Sequence, residues 1–563
     1  MLAFPTYRES STVLFNSYAF IFGFLPITLV VFFGLSRFRV VKTTWVWMTL
    51  ASLFFYGYWK IAYLPLLLIS ISGNYVIGKQ IEKLVILLEE GSGEDSPAPT
   101  TVKNISLSFR GRGEGEGENL SVLSPIDKNN NHKNNNISNL VSTVVSYKQQ
   151  TQLLLWIGIC FNLAILGYFK YANFFVDSLN HILGTNITIP TILLPLAISF
   201  YSFTQIAYIV DAYRGETKKC RYNFMTYSLF VSFFPQLIAG PILRYDELLP
   251  QFEKLRNSLF SWKNMGMGLS LFILGLGKKV AIADNLSPWV ATIFNNSDQL
   301  SFVEAWVGAL SYTFQLYFDF SGYSDMAIGL GLITNIRLPI NFNSPYKATS
   351  ISDFWRRWHI TLSNFLRDYL YIPLGGNRRG RLRQYGNLLA TMLLGGLWHG
   401  AGWTFVIWGG LHGLFLVINH RWRQMKLSMP KILAWMLTFL AVVSTWVLFR
   451  ATSISDGLGI LQAMVGLKGV ILPTTYQNTL GWLTPLGIQF QEWQDMSLLP
   501  PIGLEKTFMV LFGLILGVTF LPNTQQIMKH FKPSWYWATA IGLIATFCLL
   551  SLNRVSEFLY FQF

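Results

Sequence analysis

The sequence predicts an all-α protein that crosses a membrane many times, by way of about ten to twelve helices. Hydrophobic residues make up 52% of its 563 residues and charged residues only 13%, whereas an average soluble domain carries about 25% charged residues. Apolar runs near the ~20 residues that span a bilayer recur along the chain. Lipid is therefore the solvent for most of this chain.

Charge and cysteine content argue against several other classes of protein. A net charge of +15 suggests a nucleic-acid partner in a soluble protein, but here the basic residues lie mostly between apolar runs, as in the cytoplasmic loops of membrane proteins. The cysteines, Cys160, Cys220 and Cys548, are far apart and share no CxxC spacing. Neither a disulfide framework nor a metal site is predicted.

The first 150 residues divide into N-terminal membrane helices (1–88) and a hydrophilic insertion (89–150). A basic loop, Arg37 to Lys42, follows the first apolar run, which we expect to be retained as a membrane helix. That loop should be cytoplasmic, which places the N-terminus outside. The insertion is rich in Gly, Glu and Asn and cannot bury enough apolar surface to become ordered. We expect it to be a disordered cytoplasmic segment, either an expendable spacer or a regulatory or docking segment.

Residues 151–450 form the predicted membrane core. Two prolines and a glycine interrupt the apolar run from Phe230 to Arg244, which predicts a broken or re-entrant helix. A glycine-spaced helix from Asn264 to Gly277 is expected to end at the two lysines that follow it. Residues 451–505 lack a clear spanning run and should form an extramembrane or surface-lying loop, and residues 506–563 should form C-terminal membrane helices.

Two carboxylates, Asp319 and Asp325, lie inside the apolar run from Phe302 to Ile333. Each costs about 2.5–3.5 kcal/mol at the bilayer centre, so each needs a partner or water. Their spacing places them about 120° apart around a helix, so they are not expected to form an acid dyad. They either pair with neighbouring helices and with arginines of the basic segment that follows, or contribute to substrate binding.

His399 and His359 are the candidate catalytic residues. His399 lies between glycines in an apolar run, where an ionisable group is a functional-site hypothesis by default. An imidazole accepts a proton near neutral pH, as is needed when an acceptor hydroxyl attacks a thioester carbonyl. The alternative is a buried histidine bonded to a neighbouring helix. His359 could orient the acceptor, donate to the oxyanion or be structural. The rest of the chain is expected to hold the two imidazoles near each other.

Basic and aromatic residues around the two histidines are candidates for binding substrate or acyl donor. The arginines next to His359 are favoured as an anion site for the phosphates of a carrier such as coenzyme A. The cluster from Arg378 to Arg383 fits better as a topological signal that also contacts lipid head groups. The candidates are Trp355, Arg356, Arg357, Trp358 and Trp398, together with the two carboxylates above.

The sequence lacks the GxSxG, Walker A, GxGxxG and HExxH motifs, which mark nucleophile, nucleotide and zinc sites. A direct, base-assisted transfer without a covalent enzyme intermediate is therefore the simpler mechanism. It requires no bound cofactor, and its co-substrate would be an acyl thioester, either acetyl-CoA or an acyl carrier protein.

Five motifs, in matching order over most of the chain, resemble the membrane-bound O-acyltransferase family. The branch they resemble is the bacterial alginate O-acetyltransferase type, which is related to the transporter-like enzyme of teichoic acid D-alanylation. The motifs are Tyr317–Gly329 (YFDFSGYSDMAIG), Asn341–Tyr346 (NFNSPY), Phe354–Ser363 (FWRRWHITLS), Tyr371–Gly376 (YIPLGG) and Gly396–Gly400 (GLWHG).

The resemblance implies a fold, a reaction and a location. It implies a ring of membrane helices and re-entrant segments around a central tunnel, in which a cytoplasmic acyl thioester meets an acceptor from the other side. His399 matches the family's catalytic histidine, and His359 matches the second active-site residue of the bacterial branch. A bacterial inner-membrane location is implied, with a periplasmic SGNH-hydrolase-type partner that passes the acyl group to a polysaccharide.

Two other functions were weighed against acyl transfer. A non-enzymatic transporter of a polysaccharide or its precursor suits broken helices and intramembrane carboxylates, although the sequence shows no inverted repeat. A haem-binding redox protein would need axial ligands from His399, His412 or His420 on facing helices.

Overall fold

The computed structural model describes residues 15–38, 41–90, 131–238, 240–492, 498–552 and 559. These residues are predominantly helical, which confirms the predicted fold class. The α-helices are Leu25–Arg37, Val41–Trp59, Leu64–Glu90, Asn131–Leu166, Ala172–Leu183, Ile198–Tyr213, Phe224–Ser232, Phe234–Leu237, Tyr245–Phe252, Leu255–Ser258, Trp262–Gly277, Asp284–Phe294, Phe302–Ile333, Ile351–Trp355, Ile360–Phe365, Arg381–His399, Trp403–Gln424, Lys431–Arg450, Ile454–Met464, Gln477–Leu480, Leu504–Phe520, Thr524–Lys529 and Trp535–Ser551.

Shorter elements join or extend these helices. Wider π-helical turns occur at Ala19–Phe24, Gly167–Tyr171, Lys278–Ala283 and Leu366–Tyr371. Turns of 3-10 helix occur at Ile61–Tyr63, Glu216–Lys219, Pro345–Lys347, Thr474–Tyr476 and Gly481–Leu486. Two strands, Val470–Pro473 and Ile488–Gln491, pair in parallel with Val470 opposite Ile488.

Five helices of the described part of the chain are long and apolar enough to cross a membrane. The central helix, Phe302–Ile333, is buried along most of its length. The expected number of ten to twelve spans stays a prediction. The five are Ala19–Arg37, Ile61–Glu89, Thr143–Leu183, Trp262–Phe294 and Lys431–Arg450.

The central helix packs closely against the helix Trp262–Gly277 through glycines. A Cβ atom added at Gly275 would lie 2.5 Å from the carbonyl oxygen of Gly322, and one added at Gly322 would lie 2.7 Å from that of Gly275. Small residues at such crossings are how membrane helices bring their backbones together. This contact fixes the central helix, from which one wall of the site is built.

The expected helix end at the lysine pair is wrong. The helix passes through Lys278 and Lys279 as a π-helical turn and continues to Phe294. Both lysines are neutralised from the central helix, because Lys278 pairs with Asp325 at 2.6 Å and Lys279 with Asp319 at 2.8 Å. The expectation that these carboxylates pair with arginines of the basic segment is therefore also wrong.

The predicted break between Phe230 and Arg244 is present. The helix Phe224–Ser232 ends at Phe233, whose ψ of 108° lies outside the helical range. The side-chain amide of Gln236 donates to the carbonyl oxygen of Phe230 at 2.5 Å. A side chain thus satisfies a backbone group that the break frees, as irregular backbone at membrane depth requires.

Two further segments were predicted from composition. The disordered insertion was placed at 89–150, but the helix that ends at Leu166 begins at Asn131, because extending an existing helix costs far less than starting one. Residues 91–130 lie outside the described residues. The segment 451–505 contains the short helix Ile454–Met464 and the two strands, and its described residues form no spanning helix until Leu504.

Candidate active site

The structure brings His359 and His399 together. His399 is the last residue of the helix Arg381–His399, which we call the His399 helix, and His359 precedes the short helix Ile360–Phe365. Their ring centroids are 6.5 Å apart, with an angle of 63° between the ring planes. Both are buried, with relative exposures of 0% for His359 and 4% for His399. The prediction that the fold holds these imidazoles near each other is confirmed.

His359 has a backbone conformation that few residues other than glycine adopt. Its φ is 40° and its ψ is 57°, in the left-handed region, which costs a non-glycine residue of the order of 1–3 kcal/mol. The next residue is held in place, since the N–H of Ile360 donates to the carbonyl oxygen of Asn341 at 2.9 Å. Strain that the surroundings maintain is typical of functional positions.

Asn341 determines which nitrogen of His359 carries the proton. The side-chain oxygen of Asn341 lies 3.3 Å from the backbone N–H of Thr361 and 3.0 Å from its hydroxyl. A backbone N–H can only donate, so the amide atom that it meets is the oxygen. The same oxygen lies 3.1 Å from His359 Nδ1, which must therefore carry a hydrogen. In the neutral imidazole, Nε2 then holds the lone pair.

Aromatic rings enclose the two histidines. Trp398 is adjacent to both, since its ring centroid is 5.0 Å from that of His399 and 6.1 Å from that of His359. A wall of this kind excludes water and strengthens the electrostatic interactions inside it. Other rings at the site are Trp408 and Phe449, at 5.1 and 5.3 Å from His399, and Phe320 of the central helix, at 4.8 Å from His359.

The glycines around His399 allow a close helix crossing. A Cβ atom at Gly396 would lie 2.2 Å from the carbonyl oxygen of Phe405, and one at Gly409 would lie 2.3 Å from that of Met392. Gly396 therefore lets the backbone of the neighbouring helix approach closely, one turn before His399. At this crossing the His399 helix packs against the helix Trp403–Gln424. The contact sets the position of the last turn of the His399 helix.

The other candidates from the basic and aromatic segment divide into two groups. Trp398 lies in the site, as described above, whereas Trp355 donates from its indole to Nδ1 of His412 at 3.3 Å. Trp358 is buried in the aromatic core, with its centroid 4.9 Å from that of Trp446. Trp355 and Trp358 therefore make packing contacts and do not line the space next to His359 and His399.

The two predicted arginines do not share an anion-binding geometry. Arg356 is exposed. Arg357 donates to both oxygens of Asp353 at 3.0 Å and to the carbonyl oxygen of Asn343 at 3.4 Å. Arg357 is thus already paired with a carboxylate, and its role as a donor-binding residue stays a prediction.

His412 and His420 are held by structural hydrogen bonds. Nδ1 of His412 accepts from Trp355, and its Nε2 lies 3.0 Å from the hydroxyl of Thr445. Nδ1 of His420 lies 2.8 Å from the carbonyl oxygen of Leu416. With both ring nitrogens of His412 engaged, the geometry does not favour the haem hypothesis. Among the described residues, no group of three or more His, Cys, Asp or Glu is arranged to hold a metal ion.

Sequence reasoning missed two polar residues of the site, Asn341 and Lys170. Asn341 lies within a motif quoted above, but nothing in the motif says which side chain it holds. Lys170 donates to the carbonyl oxygens of Trp398 and His399. Its signal was present, because it is a charge inside an apolar run, as His399 and Asp319 are.

Comparisons with known proteins identify the family. Residues 217–455 match the model of the membrane-bound O-acyltransferase family. The chain is 38% identical over 581 residues to the peptidoglycan O-acetyltransferase of Helicobacter pylori, covering 98% of each chain. It is 50% identical over 324 residues to the probable alginate O-acetylase AlgI of Azotobacter vinelandii, covering 56% of this chain and 63% of that protein.

A more distant relative is named for the transfer of a different acyl group. The chain is 28% identical over 248 residues to the teichoic acid D-alanyltransferase of Streptococcus thermophilus, covering 42% of this chain and 59% of that protein. All three relatives are named as acyl-group transferases, which does not support the transporter hypothesis. The matched region 217–455 includes both histidines and Asn341. The chain belongs to the membrane-bound O-acyltransferase family and is a multi-pass membrane acyltransferase.

Proposed function

We propose that this protein transfers an acetyl group from a cytoplasmic thioester, across the membrane, toward hydroxyls of a cell-surface polysaccharide. The observation that carries the proposal is the buried pair His359–His399, with ring centroids 6.5 Å apart inside an aromatic wall. An acceptor hydroxyl that is hydrogen-bonded to one imidazole would therefore lie beside the other. The names of the relatives, which specify peptidoglycan and alginate, support a polysaccharide acceptor.

In the proposed reaction His399 is the general base. The acceptor oxygen attacks the thioester carbonyl, a C–O bond forms and the C–S bond breaks. The hydroxyl proton passes to the imidazole of His399 and from there to the departing thiolate, so the enzyme ends in its starting state. No side chain becomes acylated, in agreement with the absence of a nucleophile motif.

His359 orients the acceptor in this mechanism. Asn341 keeps its proton on Nδ1, so Nε2 accepts a hydrogen bond. A neighbouring hydroxyl of the acceptor that donates to Nε2 of His359 would hold the attacking hydroxyl beside His399, and fixed geometry of this kind supplies much of the rate of bimolecular reactions. Of the earlier alternatives for His359, this tautomer favours orientation of the acceptor over donation to an oxyanion.

The thioester donor is proposed to enter from the face that carries Asp368. Three arginines meet at this residue: Arg214 donates to its carbonyl oxygen at 3.0 Å, and Arg244 and Arg367 pair with its carboxylate at 3.6 and 2.7 Å. We propose that this face is cytoplasmic, because basic residues of membrane proteins collect on the cytoplasmic side. Acetyl-CoA or an acyl carrier protein would supply the acetyl group, and no other cofactor is required.

The acceptor side is proposed to face the periplasm of a bacterial inner membrane. Both histidines are buried, so we propose that a second protein passes the acyl group on to the polysaccharide outside the membrane. An SGNH-hydrolase-type acyltransferase is the partner that the family resemblance implies. We propose that this partner takes the acyl group at the outer face, and that the helix and strands of residues 451–492 lie on that side.

The test is the ester acetate content of surface polysaccharide in cells that express the wild type, His399→Ala or His181→Ala. His181 is exposed in the last turn of the helix Ala172–Leu183, and its replacement is the control for the loss of one imidazole. We expect loss of acetate only with His399→Ala, at unchanged membrane abundance. Wild-type acetate in that variant would refute the proposal.

A further inference from the structure

Lys170 is a buried cation that the reaction above does not use. It lies in the spanning segment Thr143–Leu183 and is 9% exposed. Its ammonium donates to the carbonyl oxygen of Trp398 at 2.5 Å, to that of His399 at 3.2 Å and to the hydroxyl of Ser199 at 3.3 Å. An ammonium has three donors, and each has an acceptor here.

These contacts stabilise the end of the His399 helix. The last carbonyl groups of an α-helix have no partner within the helix and carry the negative end of its dipole. The hydroxyl of Tyr171 donates to the carbonyl oxygen of Leu397 at 2.9 Å. Two consecutive residues therefore satisfy the three last carbonyl groups of the helix, those of residues 397, 398 and 399.

A π-helical turn directs the side chains of Lys170 and Tyr171 toward the same helix end. Consecutive residues of an α-helix point about 100° apart. Lys170 and Tyr171 lie in the π-helical turn Gly167–Tyr171, whose wider winding reduces that angle. Single π turns inside α-helices occur often at functional sites.

The usual structural explanations of a membrane lysine do not account for Lys170. It lies about 20 Å along the helix from Leu183, at 1.5 Å per residue, and its ammonium contacts protein groups instead of extending along the helix toward water. Among the residues that the structure describes, no carboxylate forms an ion pair with it. Such a charge is costly to bury, and among the described residues its ammonium contacts Ser199, the ring of Trp398 at 5.9 Å and the end of the helix that carries His399.

We propose that Lys170 is a positioning residue for acyl transfer. Its ammonium holds the last turn of the His399 helix and thereby keeps the His399 imidazole directed at the space shared with His359. The inference rests on the proposed function, because it assumes that His399 acts on the substrate. It adds that the positive charge at the helix end, and not only the hydrogen bonds, maintains this geometry.

Three substitutions separate charge from hydrogen bonding. Lys170→Met keeps the length of the side chain without charge or donors, Lys170→Gln keeps donors without charge, and Lys170→Arg keeps both. Lys148→Met is the matched control, since Lys148 lies on the same helical segment about 33 Å away. The kcat and KM for transfer from labelled acetyl-CoA are measured in membranes that contain equal amounts of each protein.

We expect kcat to fall about 10- to 100-fold in Lys170→Met and Lys170→Gln, with KM within twofold of the wild type, as for a misplaced catalytic group. Lys170→Arg should retain at least a third of the wild-type kcat, and Lys148→Met should match the wild type. If the Lys170→Met protein does not accumulate, the kcat of Lys170→Gln is compared with that of Lys170→Arg, and this comparison tests the role of the charge.

Two results would overturn the inference. One is a kcat within twofold of the wild type in Lys170→Gln. The other is a variant that loses only abundance or thermal stability while each folded molecule keeps its rate, because the role of Lys170 would then be structural. A wild-type protein that transfers nothing from acetyl-CoA would instead contradict the donor of the proposed function, so the two failures are distinguishable.

Discussion

Gly396→Ala should separate the two helices that form the end of the site. The added Cβ would lie 2.2 Å from the carbonyl oxygen of Phe405 and 3.1 Å from Cα of Gly409. Carbon–oxygen contacts in proteins are about 3.3 Å or longer, so the helices must move apart by roughly 1 Å. Both obstructing atoms belong to backbone, which cannot rotate away. Overpacking of this kind costs about 1–3 kcal/mol of stability.

The effect on activity should exceed the effect on stability. Gly396 lies one helical turn before His399, so a displacement of about 1 Å passes directly to the imidazole. A misplacement of that size reduces a rate by about 10²-fold. The assay is acetyl transfer per folded molecule together with thermal unfolding of the purified protein.

The matched control lies on the same helix. A Cβ at Gly386 would meet no atom within 4 Å. Gly386→Ala should therefore be neutral, or stabilising by up to about 1 kcal/mol through helix propensity, at wild-type activity. A Gly396→Ala protein that transfers acetyl groups at the wild-type rate would refute the argument that this crossing sets the position of His399.

Two other predictions follow from buried polar contacts. Asn341→Leu removes the acceptor of the Nδ1 hydrogen of His359 and should lower kcat about tenfold, which corresponds to one hydrogen bond of ~1.4 kcal/mol. Asn341→Asp keeps an oxygen at that place, so its kcat should fall less. Equal kcat values in the two variants would contradict the tautomer assignment. Lys279→Met leaves Asp284 and Asp319 buried without their cation and should lower the free energy of unfolding by about 3–5 kcal/mol, measured by thermal or denaturant unfolding. Addition of Asp319→Asn should restore part of that loss, and no restoration would contradict the ion-pair account.

The fold class and the candidacy of His399 were predictable from the sequence because both depend on local signals. Apolar runs of spanning length predict membrane helices, and an imidazole inside such a run is a functional-site candidate, whereas the proximity of His359 to His399 depends on tertiary contacts. The break near Phe233 was predictable for the same reason, since proline acts on its own turn of helix.

Long-range pairing explains what the sequence did not reveal. Two lysines in an apolar run are tolerated only where they have partners, so Lys278 and Lys279 suggested the end of a helix. Their partners, Asp325 and Asp319, come from the central helix, which the local sequence does not reveal. The contact of Lys170 with the carbonyl oxygen of His399 joins residues 229 positions apart. No spacing rule within one helix predicts either contact.

The sequence also does not show which of several neighbouring tryptophans faces the site. Trp355 and Trp358 flank the same arginines, yet their rings pack against His412 and Trp446. Trp398 alone among the candidate tryptophans contacts both histidines. Side-chain direction in a short, left-handed turn such as that at His359 depends on tertiary contacts, which the sequence pattern does not contain.

The central claim is that His399 moves an acetyl group from a thioester across the membrane, and one measurement tests it most directly. Inside-out membrane vesicles that contain the wild type, His399→Ala or His181→Ala are supplied with labelled acetyl-CoA on their outer, formerly cytoplasmic, surface. The account predicts label on an acceptor in the lumen with the wild type and His181→Ala, and none with His399→Ala. Equal labelling in all three would contradict it.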